Sequence, residues 1–205
     1  MLNKSIFKSY DIRGIYPDQL NEEAAYLVGQ AFIKHTGAKK VVVGFDARIS
    51  SPNLCENLYD GMLSAGASVY LIWQVPTECV YFALGNFDFD AGIMITASHN
   101  PKEYNGFKMM KKVGNNIEII RGSDLLPIIS QKQHQAEKRG DLYKRDIRND
   151  YLNYVLSFVK GEIKPFRIAV DASNGVMGQA ILKMKGKLPI KILAMNFEPD
   201  GNFPN

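Results

Sequence analysis

Short apolar runs alternate with longer amphipathic stretches along this 205-residue chain, the pattern of an α/β protein built on a largely parallel sheet. Residues 41–45 read as a buried strand ending at Asp46. From about Pro52, Leu54, Leu58, Met62 and Ala65 repeat on one helical face. Ser51, just before that proline, suits the N-cap. Residues 69–73 predict the next strand, Pro76 and Thr77 open a helix running towards Leu84, and residues 91–96 predict a third strand. Upstream, Ala24, Leu27, Val28, Ala31 and Phe32 predict a helix over about 22–35.

Between about 123 and 158 polar helical segments surround the charged stretch 137–141, which reads as a solvated face or linker. A new βαβ unit follows, with strand at 166–171, helix at 175–185 and strand at 190–194. The expected organisation is one α/β domain over 1–140 and an incomplete second one over 141–205. Two strands and a helix cannot cover their own sheet edges or bury both faces.

Composition adds bounds rather than identity. The chain is 46% hydrophobic and 22% charged, enough to bury a real core. No apolar run approaches the roughly 18 residues of a membrane span, and the first residues lack the apolar region of a secretory signal. A cytoplasmic protein without membrane contact is expected. The net charge of +4 suits small anionic ligands, and the absence of a long Lys/Arg block argues against nucleic acid. Cys55 and Cys79 lack metal-ligand spacing and are expected to be reduced and without a role. His35 and His134 have no neighbouring ligand set.

The chemistry concentrates in Thr96-Ala97-Ser98-His99-Asn100-Pro101 and the closely following Tyr104-Asn105-Gly106-Phe107-Lys108, expected to form one loop after a strand. Ligands of open α/β sheets sit beyond the carboxyl ends of the strands, which puts Asp46 and Ser98 at the functional edge. His99 is badly placed as a base for Ser98 if the backbone is extended, because adjacent side chains then point to opposite faces. No Gly-x-Ser-x-Gly elbow occurs either, so serine hydrolase chemistry is disfavoured. Phosphoryl transfer asks instead for positioning and charge neutralisation. Lys108 and His99 can supply both, while Asn100 and Gly106 suit a tight loop with exposed N–H groups. The competing reading is a simple turn, since Asn-Pro commonly starts one. Gly175-Val176-Met177-Gly178 is not a dinucleotide fingerprint.

These two stretches closely resemble the active-serine signature of the phosphohexomutases, the phosphoglucomutase/phosphomannomutase family. Phe7-Lys8-Ser9-Tyr10-Asp11-Ile12-Arg13-Gly14 resembles its N-terminal signature, and Gly44-Phe45-Asp46-Ala47-Arg48 with Ser50-Ser51 its first strand-end motif. Val170-Asp171-Ala172-Ser173-Asn174-Gly175 and Pro199-Asp200-Gly201-Asn202-Phe203-Pro204 are similar to its second-domain landmarks, and the N-terminal signature is most like that of the bacterial branch. The resemblance implies a three-layer α/β/α sandwich with a mixed, largely parallel sheet, followed by part of a second similar α/β domain. It implies that Ser98 carries a phosphoryl group between hexose 1-phosphate and hexose 6-phosphate through a hexose 1,6-bisphosphate. Lys108, Arg13 and His99 are its implied catalytic companions, and Tyr10 and Asn100 line the phosphate site; the short Asp46-x-Arg48 spacing by itself suggests a pair that organises the loop from behind. A Mg2+ ion would be held by the Ser98 phosphate and by an aspartate-rich loop expected beyond Asn205, so this chain is expected to be a fragment with little turnover alone. The alternative is a truncated relative that binds sugar phosphates or a protein partner without catalysis.

Overall fold

The computed structural model describes residues 2–131 and 135–205; His134 lies outside the described residues. After a short 3₁₀ turn (Lys4–Ile6), the chain forms β1 (Ile12–Ile15), α1 (Glu22–Thr36), β2 (Lys40–Phe45), α2 (Ser51–Ser64) and β3 (Ser68–Gln74). It continues through α3 (Thr77–Asn86), β4 (Ala91–Ile95), β5 (Tyr104–Val113), β6 (Asn116–Ile120) and α4 (Gly122–Ile129). β7 (Leu142–Lys144), α5 (Arg148–Leu156), β8 (Arg167–Asp171), α6 (Met177–Leu182) and β9 (Lys191–Met195) complete it.

The apolar runs become the parallel centre of a seven-stranded sheet ordered β1-β5-β4-β2-β3-β7, with β6 also on β5. β2 pairs in parallel with both β3 and β4, while β5 runs antiparallel to β1, β4 and β6. The two-residue period of β2 separates two cores. Val41 and Val43 pack with α1, α2 and α4, whereas Val42 packs with α3 on the opposite face. The result is a three-layer α/β/α sandwich with a mixed, largely parallel sheet.

Several elements differ from the sequence reading. Tyr104–Val113 is a ten-residue strand, so Lys108 sits in the sheet opposite Met94 rather than in a loop. Ser50 is the N-cap of α2 and makes no side-chain cap, and Ser51 is already helical. Ser51 Oγ donates instead to Asp46 Oδ1 at 2.7 Å. The segment expected to be only helical also contains β7, which pairs in parallel with β3. Thus β7 lies beyond residue 140 and still belongs to the first sheet, and Tyr151 of α5 packs against Phe82 of α3.

Beyond it, β8 and β9 form a separate parallel pair, and α6 is shorter than the expected 175–185. Phe166 and Leu193 remain more than half exposed here.

Candidate active site

Because β2 and β4 are neighbours, their carboxyl ends open at the same edge, where Asp46 N–H donates to the carbonyl of Ile95 at 3.0 Å. The chain then turns sharply. Ser98 N–H donates to Thr96 Oγ1 at 2.9 Å and Asn100 N–H to the carbonyl of Ala97 at 3.1 Å. Ser98 adopts a left-handed backbone with φ 59°, a conformation that costs about 1–3 kcal/mol in a non-glycine residue and needs surrounding support. The turn brings Ser98 Oγ within 3.3 Å of His99 Nδ1. The expectation that the two side chains diverge is therefore corrected, because it assumed an extended backbone.

The support comes from Arg48, which is 2% exposed. A guanidinium has five N–H donors in one plane, and Arg48 makes five bonds. Nε meets Asp46 Oδ2 at 3.2 Å. Nη1 donates to the carbonyls of Pro101 and Tyr104 at 2.6 and 2.9 Å. Nη2 donates to those of Ser98 and Asn100 at 3.0 and 2.7 Å. Burial pushes the Arg48 pKa down, and the charge and hydrogen bond of Asp46 oppose that shift. With every donor engaged, Arg48 organises the loop and has none left for a ligand.

A polar chain buttresses it. Asn105, fully buried, donates through Nδ2 to Ser50 Oγ at 2.8 Å and Ser51 Oγ at 2.9 Å. Ser51 in turn serves Asp46. The sequence reading quotes Asn105 and gives it no role; an uncharged amide at the start of β5 is the one signal that could have flagged it. Gly106 does not offer a free amide, since its N–H donates to Asn105 Oδ1 at 2.8 Å.

Arg13 reaches the same loop from β1. It pairs with Asp11 at 2.5 Å and donates to Asn100 Oδ1, while its Nε is buried with no partner among the described residues. Ser98, His99, Asn100 and Arg48 line a cleft of about 620 Å³ that Ala172, Ser173, Gly175 and Phe203 also line. Tyr10, Arg13 and Lys108 do not line this cleft, and Tyr10 is 76% exposed. Among the described residues no three His, Cys, Asp or Glu side chains converge on a point. The residues present therefore do not fit a metal ion by themselves. Among the described residues no helix is long and apolar enough to cross a membrane.

Comparison with known proteins adds an independent line. Residues 4–134 match the family model described as phosphoglucomutase/phosphomannomutase, alpha/beta/alpha domain I. A phosphoglucomutase from Neisseria gonorrhoeae is 38% identical, covering all of this chain and 45% of that protein. A phosphomannomutase from Vibrio cholerae is 33% identical, again over the whole chain and 47% of its own length. The crystal structure of a phosphoglucomutase/phosphomannomutase family protein from Burkholderia thailandensis superposes with a TM-score of 0.86 at 32% identity, over all of this chain and 46% of that one. The chain thus spans about half the length of the relatives it matches.

Proposed function

The chain belongs to the phosphoglucomutase/phosphomannomutase family, and on that premise we propose that Ser98 carries the phosphoryl group in the interconversion of hexose 1-phosphate and hexose 6-phosphate. A free hydroxyl of the hexose monophosphate attacks the phosphorus of phosphoserine 98. The Oγ–P bond breaks as the new O–P bond forms, and the hydroxyl proton leaves to a base. The hexose 1,6-bisphosphate then presents its other phosphate to Ser98 Oγ, which takes it and regenerates the phosphoserine. Glucose and mannose phosphates, the sugars in the names of those relatives, are the proposed substrates.

The observation that carries this reading is the Arg48 anchor. It fixes the loop by its carbonyls and leaves Ser98 exposed and lining a cleft of about 620 Å³, room for a sugar phosphate. His99, beside Oγ, is proposed to hydrogen-bond the phosphate. Arg13, bridging Asp11 and Asn100, is proposed to counter its charge. Lys108 is proposed as the proton-transfer group, and Tyr10 and Asn100 as phosphate-site residues. Asp46 and Arg48 act from behind the loop. A divalent cation would offset charge on the transferring group. The described residues lack the carboxylates to hold one, no step here runs through it, and turnover by these 205 residues alone is expected to be small. The two-domain organisation belongs to the same proposal, with β7 and α5 assigned to the first domain.

Radiolabelled hexose 1,6-bisphosphate tests it. Label transferred to the peptide containing Ser98, and lost in Ser98→Ala, is the expected result. Saturable sugar-phosphate binding with no phosphoserine would favour a non-catalytic binding module instead.

A further inference from the structure

We propose that Phe203 is a positioning residue for Ser98, acting through Arg48; the consequence for phosphoryl transfer rests on the reading of Ser98 given above. The five in-plane bonds of Arg48 leave only the two faces of its guanidinium to be covered. The Arg48 Cζ lies over the Phe203 ring, 5.2 Å from its centroid, a distance at which cation and ring attract; with the in-plane donors engaged, the ring is left to cover one of those faces. Phe203 comes from 155 residues further along the chain, beyond β9, and it lines the same cleft as Ser98.

The turn that carries the ring is built for this contact. Asp200 N–H donates to the Asn174 carbonyl at 2.9 Å, and Phe203 N–H donates to the Asp200 carbonyl at 3.0 Å. Asp200 Oδ1 accepts from Asn202 N–H at 2.8 Å. Phe203 itself is held at φ 46°, unfavourable for an aromatic residue unless its surroundings impose it. Gly201 lets the backbone seat against the Arg48 loop, since a Cβ there would come within 2.6 Å of the Ala47 carbonyl and 2.7 Å of Ile49 N. A relay follows: the 200–203 turn seals the face of Arg48, and Arg48 holds the carbonyls of Ser98 and Asn100. Docking of the second unit thereby sets the stiffness of the loop that presents Ser98. Water admitted to that face would compete for the same N–H groups.

Amide hydrogen exchange across 97–105 of the purified chain, without any sugar phosphate, is the test. Phe203→Ala and Phe203→Leu are expected to raise exchange there about tenfold, the range of a lost cation–π contact. Phe203→Trp is expected to restore protection, because its face serves the cation and leucine's volume does not. Gly201→Ala, which keeps the ring but unseats the turn, is expected to behave as Phe203→Ala. Exchange in α1 monitors the global fold and is expected to be unchanged. On an Arg48→Lys background Phe203→Ala is expected to add no further increase.

Unchanged exchange at 97–105 in Phe203→Ala overturns the proposal. So does full protection in Phe203→Leu, or an undiminished increase on the Arg48→Lys background. Label uptake from hexose bisphosphate, read separately, tests the role of Ser98; its absence in the unsubstituted chain would remove that role while leaving the relay standing.

Discussion

Arg48 Nη2 donates to the main-chain carbonyl of Ser98 at 3.0 Å across fifty residues of sequence. The bond captures the backbone and not the hydroxyl. A loop whose carbonyls converge on a buried cation turns its side chains outward, and this is how Ser98 can be both strained at φ 59° and open to a ligand. A serine bound by its hydroxyl would be fixed but spent.

Lysine cannot replace this arginine. It brings three donors to five acceptors and lacks the planar fork. Arg48→Lys should lower stability by about 2–4 kcal/mol, the cost of buried carbonyls left without partners. The urea midpoint should fall with little change in slope. A loss below about 0.5 kcal/mol would mean that the loop carbonyls are satisfied in another way.

The first helical layer depends on an equally specific contact. Gly61 of α2 faces α1 so closely that a Cβ would lie 2.1 Å from the Tyr26 carbonyl. Backbone cannot yield there as a flexible side chain could. Gly61→Ala should therefore destabilise by about 1–3 kcal/mol or more, despite alanine's better helix propensity. Thermal unfolding reads this directly, and an unchanged or raised midpoint would contradict the packing.

Much of the fold is legible in the sequence, for stated reasons. β2, β3 and β4 are short apolar runs, and α1 and α2 carry a helical repeat, so burial writes them locally. β5 is not legible, because Gly106, Lys108, Lys111 and Lys112 interrupt any alternation; its strand form comes from partners on both edges. β7 has three residues, all exposed, too few to show a period. At the candidate site, the Asp46–Arg48 spacing suggests support for a loop. Which loop depends on β2 and β4 lying side by side, and no local pattern contains that. The His99 contact likewise depends on the backbone of Ser98.

The two cysteines should be chemically silent in the folded protein. Cys55 and Cys79 are 2% and 1% exposed, and burial pushes both thiols up to about 12. Near pH 8 neither should react with a thiol reagent before unfolding, since the thiolate is the nucleophile. Cys79 borders a cavity of about 430 Å³ that also touches α5 and α6. It should be labelled ahead of Cys55 as temperature rises. Rapid labelling of Cys55 in native buffer would contradict its burial.

Acid should weaken one local support. The Arg148 side chain holds the Asp146 carboxyl at about 2, below its ordinary 3.8. A depressed carboxylate contributes stability that is complete above about pH 4 and is lost as pH falls towards 2. Both groups are about half exposed, so solvent screening keeps the effect below about 1 kcal/mol. Asp146→Asn should lower stability slightly at pH 7 and flatten its fall between pH 4 and 2. An identical acid profile for both proteins would exclude Asp146 as a contributor.

Arg13 joins the site to the first strand, and its geometry makes a sharper demand than charge alone. It spans from Asp11 to Asn100 with two different nitrogens, and its buried Nε has no partner among the described residues. Lysine would keep the positive charge but, as a single point, could not hold both neighbours in the same planar geometry. Arg13→Lys should slow label transfer from hexose bisphosphate to Ser98 by about tenfold, the order expected for losing one charge-assisted hydrogen bond. The stability change should be smaller than for Arg48→Lys, because Arg13 is more exposed and holds fewer backbone groups. Asn100→Ala should give a similar slowing, since it removes the acceptor that aims Arg13 at the loop. If both variants load Ser98 at the unsubstituted rate, the Arg13–Asn100 contact serves the fold alone and the phosphate must be held by other groups.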